Sequence, residues 1–214
     1  QALIAEANDA TAKVAQEAQK ATQEVAAAAS ATGETIAKEG ANLAASLSEL
    51  GKKVVILDAD FGLANLDVLL GLTPRFHLGH LLFGSKPLSE IMVQGPRGIQ
   101  IIPASSGLQR MAELTAAQRM QIVASFSQLD PATDYLLIDT AAGVSRNVTQ
   151  FLTAADEIIV VSAPEPTAIV DAYAVIKIIL AEDRRKPVQV LINSTTSAAR
   201  AEEVFSQINA VVRR

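Results

Sequence analysis

Apolar residues in this chain gather into short continuous runs that end on polar residues, and between the runs they recur at helical spacing. From Ala41, the stretch NLAASLSELGKK reads as an amphipathic helix over 42–50, closed by Gly51 at its C-terminal end. KVVILDAD then makes a buried-strand run that is rich in β-branched residues and ends on acids. Four similar runs follow: IQIIPA at 99–104, DYLLIDTA at 134–141, DEIIVVSA at 156–163 and VQVLINS at 188–194. Continuous apolar runs of this length fit strands covered on both faces, as in parallel sheets. Helical stretches over 110–128, 145–154, 167–182 and 199–213 separate them. Strand alternating with helix through short connections predicts a doubly wound α/β fold, a mainly parallel sheet with helices on both faces.

The first forty residues follow another pattern. From Gln1 to Ser30 there is neither Gly nor Pro, and Ala, Gln, Glu, Lys and Thr dominate. These are mostly strong helix formers. Leu3, Ile4, Ala7, Val14, Ala18, Ala21 and Val25 keep roughly helical spacing with mostly small side chains, so the segment reads as a long, weakly amphipathic helix. Large residues for a coiled-coil seam are missing, which favours a solvated or loosely docked helix. The expected organisation is an Ala-rich helical segment over 1–40 and an α/β domain over 41–214.

Composition narrows the function classes. Half of the 214 residues are hydrophobic and aromatics are scarce, so the core must be aliphatic. The net charge of -5 argues against a protein that binds nucleic acid through bulk positive charge. Arg184, Arg185, Lys186, Arg200, Arg213 and Arg214 leave a local DNA-contacting patch as the weakest alternative. No cysteine is present, which removes disulfides and thiolate metal sites and fits a cytoplasmic location. His77 and His80 lie three apart in a connection and read as solvated loop residues, with no third ligand nearby for a metal. No apolar run reaches the ~18 residues of a membrane span. The chain opens on Gln1 rather than Met, as a processed form or a fragment would.

In doubly wound sheets, ligands bind beyond the carboxyl ends of the strands. Here those ends carry Asp58 and Asp60, Asp139 and Thr140, Glu165, and Asn193. Any one of them could be a strand terminator; together they mark a shared site. Asp139 follows YLLID and is placed to hold a water of Mg²⁺, a cation that prefers oxygen ligands and keeps much of its hydration. Gly143, in TAAG, allows a phosphate to approach the backbone closely. Asp60 could orient an attacking water, or DFGLANLD could simply cap the next helix through Asn65 or Asp67. The Asn193 amide can offer a donor and an acceptor to a purine edge.

GKKVVILDADFGLANLDVLLGL, DYLLIDTAAGVS, APEPTAIVDAYAVIK and VLINSTTSAARAEEVF resemble the MinD/ParA family of deviant-Walker ATPases, in its flagellar branch (FlhG, also called FleN or YlxH). The resemblance runs from about Ala41 to the end of the chain. It implies a P-loop NTPase-like fold, dimerisation on Mg·ATP through the nucleotide face, and hydrolysis stimulated by a flagellar or cell-division regulator protein. It further implies that Asp60 helps to activate water, Asp139 and Asp58 serve Mg²⁺, Asn193 contacts adenine, and Glu165, Pro166 and Thr167 line the base side. Asp171 would cap the helix that follows.

The sequence also departs from that family. The family's opening strand, which lies in the middle of its sheet, leads into a loop reading G-K-G-G-V-G-K-T. Counting back from Gly51 places that loop on residues 30–37, where Ser30, Ala31, Thr32, Gly33, Glu34, Thr35, Ile36 and Ala37 stand. Only Gly33 agrees. Phosphate loops need several glycines, a cation and converging backbone N–H groups, so ATP binding and hydrolysis are expected to be impaired. The family also continues beyond INAVVRR, in MinD with an amphipathic membrane helix, and no membrane anchor is expected here. The alternative is a non-catalytic relative acting as a protein-binding module.

Overall fold

The computed structural model describes residues 40–62, 64–84, 86–104, 111 and 114–212. The expected Ala-rich segment and the positions of the phosphate loop lie outside the described residues. All five strand runs form strands: β1 (Val54–Ala59), β3 (Gln100–Ile102), β4 (Tyr135–Thr140), β5 (Ile158–Ser162) and β6 (Val188–Ile192). A two-residue strand that the pattern did not announce, β2 (Val93–Gln94), pairs antiparallel with β3. Helices alternate with these strands: α1 over 40–49, α5 (Ala116–Ser125), α6 (Arg146–Ala154), α7 (Pro166–Glu182) and α8 (Ala198–Val212). Three short helices, α2 (Leu66–Leu69), α3 (Leu78–Leu82) and α4 (Leu88–Ile91), fill the connection between β1 and β2.

Helix α5 starts at Ala116, within the helical stretch expected over 110–128, for a local reason. The Thr115 hydroxyl accepts from the Gln118 backbone N–H at 3.2 Å, and the Gln118 side chain accepts from the Thr115 N–H at 2.9 Å. This reciprocal capping box satisfies two otherwise orphan donors and fixes the first turn.

Strand order in the first sheet is β2-β3-β1-β4, with β1 parallel to both β3 and β4. Alternation along β1 sends its residues to two cores. Val55, Leu57 and Ala59 pack with Leu78, Leu81, Leu82, Leu88, Ile91, Ile122 and Phe151. Val54 and Ile56 pack with Ala41, Ala44 and Leu66 on the opposite face. The sheet is therefore covered on both faces, as the continuous apolar runs predicted.

Among the described residues, β5 and β6 form a separate parallel pair, and no strand bonds β5 to β4. A third core, with Val160, Ile176, Ile179, Val204 and Ile208, packs this pair against α7 and α8. Helix α6 joins the halves: Phe151 sits in the first core, while Leu152 and Ala155 just beyond its end pack against the third.

Phe151 is fully buried and meets Phe61 edge-to-face, with centroids 5.9 Å apart. Phe151→Ala is expected to destabilise the chain by about 3–5 kcal/mol through lost burial and a residual cavity, measured as a lower urea midpoint. Val68→Ala, at a largely exposed position, should change the unfolding free energy by less than about 0.5 kcal/mol.

Candidate functional site

The β1–β4 register sets Asp58 directly beside Asp139 and Ala59 beside Thr140 at the carboxyl edge of the sheet. Residue alternation turns both carboxyls to the layer that holds α1 and α2. The described part of α1 begins against them: a Cβ on Gly40 would stand 3.3 Å from Asp139 Oδ2. That approach is closer than a side chain at position 40 would comfortably allow, so the glycine keeps the space above Asp139 narrow.

Asp58 is 4% exposed and its two oxygens are both engaged. Oδ1 accepts from the Asp60 backbone N–H at 3.2 Å, and Oδ2 accepts from the Leu66 N–H, the first of α2, at 3.3 Å. The capping role expected of Asn65 or Asp67 thus falls to Asp58 from eight residues upstream. Asn65 occupies the cap position without a side-chain bond, and the Asp67 Oδ1 accepts from the adjacent Val68 N–H. Asp60 Oδ1 accepts from the Gly62 N–H at 3.1 Å, which shapes the turn after β1.

Burial pushes the Asp58 carboxyl from the usual 3.8 up to about 7, with the neighbouring Asp139 charge adding to it and the Leu66 N–H opposing it. Burial likewise pushes Asp139 up to about 6, and the Asp60 charge adds to that. Burial dominates both shifts and a neighbouring acid adds to each, Asp139 for Asp58 and Asp60 for Asp139, so negative charge is concentrated at this edge.

Gly143, at φ +86°, turns the chain after β4 with no atom within 4 Å of where a Cβ would stand. Ser145 then starts α6, its hydroxyl accepting from the Val148 N–H. Glu165, Pro166 and Thr167 lie exposed at the start of α7, with Pro166 in its first turn. Asp171 lies inside α7 and caps nothing; the cap position is Glu165. Asn193 follows β6, where its N–H donates to Ser162 O at 2.8 Å and its Oδ1 accepts from the Ser194 N–H at 2.7 Å. The structure therefore brings Asp58, Asp60 and Asp139 together on the first sheet, and places Glu165–Thr167 and Asn193 at the ends of the β5–β6 pair.

As donors, the carboxylates suit a hydrated Mg²⁺, which needs one or two protein oxygens and completes its shell with water and phosphate. Among the described residues no three His, Asp or Glu side chains converge to cage an ion by themselves. Asp139 is the better placed ligand, because both Asp58 oxygens are already tied to the backbone.

Two features escaped the sequence pattern. His77 and His80 are not solvated loop residues: His77 Nδ1 accepts from the Gly79 N–H, His80 Nδ1 accepts from the His77 N–H, and the pair caps α3. Arg119 is 8% exposed, donating to Leu114 O and reaching Asn147 Oδ1 at 3.4 Å in the first turn of α6. It braces the helix that follows the Gly143 loop, and nothing in its spacing separates it from a surface arginine.

This is the arrangement of a doubly wound α/β domain, with a mainly parallel sheet covered on both faces and acids at its carboxyl edge. The AAA domain family matches residues 27–196. The antiactivator FleN of Pseudomonas aeruginosa is 40% identical over 173 residues, covering 81% of this chain and 62% of FleN. The flagellum site-determining protein YlxH of Helicobacter pylori is 39% identical over 138 residues, covering 64% of this chain and 47% of YlxH. The septum site-determining protein MinD of Pyrococcus horikoshii, solved in complex with Mg-ADP, superposes with a TM-score of 0.64 at 22% identity, over 81% of this chain and 72% of that one. The chain belongs to the MinD/ParA family of ATPases, on the flagellar-regulator side of it. It spans about half to three-fifths of the length of FleN and YlxH.

The carboxyl pair carries a pH signature. The folded chain keeps protons on Asp58 and Asp139 at pH values where the unfolded chain, near 3.8, has lost them. Folding therefore takes up protons in this window, so stability falls as pH rises from about 4 to about 7 and levels off above. The unfolding free energy from urea titrations across that range should decline by an amount on the order of a few kcal/mol. Asp139→Asn should flatten the decline; an unchanged slope would place both acids in ordinary solvation.

Proposed function

We propose that this chain is a nucleotide-switch domain of a FleN- or YlxH-like protein that regulates the number or placement of flagella. The observation that carries the reading is Asp139 beside Asp58 across a parallel strand pair, with Asp60 in the turn that follows. In this reading Asp139 holds a water of Mg²⁺, and Asp60 orients the water that attacks the terminal phosphate. Asn193 meets the adenine edge, and Glu165, Pro166 and Thr167 line the base. Mg²⁺ supplies charge neutralisation on the phosphates. The MinD of Pyrococcus horikoshii was solved with Mg-ADP, which supports that ligand class here.

Nucleotide handling is impaired in this reading. Residues 30–37 retain Gly33 alone of the family's phosphate loop and supply neither of its lysines. Without a cation and a glycine cradle, phosphoryl transfer loses its main electrostatic support. A homodimer through the nucleotide face then has little to trigger it. The second reading, a protein-binding module, draws on α7, where Val170 is 62% exposed one residue before Asp171. Among the described residues no helix is long and apolar enough to cross a membrane.

Titration of the purified chain with a fluorescent ATP analogue separates these readings. The expected outcome is no Mg²⁺-dependent binding below millimolar nucleotide. Binding that tightens with Mg²⁺ and disappears in Asp139→Ala would instead establish a working phosphate site and overturn the impairment.

A further inference from the structure

Helix α3 is closed by two histidines that use the same ring atom. His77 Nδ1 accepts from the Gly79 N–H at 3.1 Å, and His80 Nδ1 accepts from the His77 N–H at 3.2 Å. A ring nitrogen that accepts carries no hydrogen, so each neutral imidazole keeps its proton on Nε2. The rings meet edge-to-face with centroids 4.1 Å apart. Capping boxes are ordinarily made by Ser or Thr at the cap and Glu or Gln three residues on, and those side chains hold their bonds across the neutral pH range. Imidazole is the side chain that changes charge there.

The surroundings of the pair favour the neutral rings. His80 lies edge-on to Phe76, with centroids 5.3 Å apart, and Lys86 Nζ and the Arg75 guanidinium stand 4.7 and 5.2 Å from the same Phe76 ring. Glu90 of α4 faces this cluster, but its carboxylate is taken up by an ion pair with Lys86. From α5 the uncharged Gln121 reaches Leu81 O at 3.4 Å, and from the chain after β3 the Pro103 carbonyl accepts from the Leu78 N–H. Burial, with the neighbouring His80 charge adding to it, holds His77 below its usual 6.5. What the pair secures is a five-residue helix, too short to persist without its caps and its packing. Leu78 is fully buried, and Leu81 and Leu82 nearly so, against Leu88, Ile91 and the β1 residues Val55 and Leu57.

We propose that His77 and His80 form an acid-released latch: a proton taken up on Nδ1 of either ring breaks its bond to the backbone and lets α3 open from the first core. On the imidazolium both ring nitrogens donate, so an Nδ1–H would point at a backbone N–H. The ring must swing away, which leaves the Gly79 or the His77 amide without its acceptor. A charged His80 also lies beside Phe76, where Lys86 and Arg75 already stand. Opened α3 binds the proton at His77 more readily than closed α3 does. The closed form is therefore fully stable well above pH 6.5 and loses stability as pH falls through that value. The Asp58–Asp139 pair acts the other way, gaining stability as pH falls, so the two effects separate by location and by direction.

Hydrogen exchange of the full chain between about pH 7.5 and about pH 5.5, with each rate divided by the intrinsic rate at that pH, reads the latch directly. Protection at 77 and 79–83 is expected to fall by about tenfold over this range, while protection of β1 at 54–59 does not fall. His77→Asn combined with His80→Gln keeps cap-forming oxygens that do not titrate, and is expected to hold the protection of 79–83 constant. A fall of the same size in that double variant would overturn the proposal. So would constant protection in the unaltered chain, or an equal fall along β1. The imidazole nitrogen shifts of the unaltered chain at about pH 7.5 test the latch without any variant. Both rings are expected as Nε2–H tautomers, and an Nδ1–H tautomer in either would also overturn it.

Discussion

The parallel register of β1 against β4 is the constraint from which the site descends. Every β1 residue is buried, with Val55, Leu57 and Ala59 committed to one core and Val54 and Ile56 to the other. Because side chains alternate with a period of two, slipping the strand by one residue would exchange the two sets. It would also carry Asp58 away from Asp139. The apolar positions, by far the larger contribution to stability, therefore fix where the acids stand.

That placement has an electrostatic cost. Two carboxyls lie side by side in a largely desolvated edge, and each is pushed toward its protonated form mainly by burial. Asp58 recovers part of the cost by accepting two backbone N–H groups, one of which starts α2. It thereby does structural work, pinning the turn after β1 to the sheet, while Asp139 stays the more available of the two. A single buried acid would be an ordinary helix cap. The pair, with Asp60 one turn on, concentrates negative charge where a cation would relieve it.

The two halves of the domain are tied by packing more than by hydrogen bonds. Helix α6 contributes Phe151 to one core and Leu152 to the other, and Arg119 holds its first turn to the segment leading into α5. The bonded sheet is interrupted between β4 and β5 among the described residues, yet α7 and α8 give the β5–β6 pair a core of its own. The Glu165 and Asn193 groups rest on that second pair. Their position relative to the acids thus depends on α6.

The apolar runs from KVVILDAD to VQVLINS determined by themselves that there would be five strands, that helices would alternate with them, and that acids would gather at one edge. A run buried on both faces leaves no other stable arrangement, and strand ends are where polar residues become tolerable. The family resemblance was equally legible, since it rests on consecutive residues. What the sequence could not determine was pairwise and long-range. Asp58 serves as the cap of α2 in place of Asn65, and His77 with His80 closes α3, because each depends on where a backbone N–H points after folding. Helix α5 begins at Ala116 because Thr115 and Gln118 satisfy each other, a local signal that helical periodicity overran. Arg119 is buried only because α6 packs against α5. That β4 and β5 do not bond directly to each other among the described residues likewise belongs to tertiary structure alone, because strand order is set by which faces and edges find partners, and no residue within a strand records its neighbour.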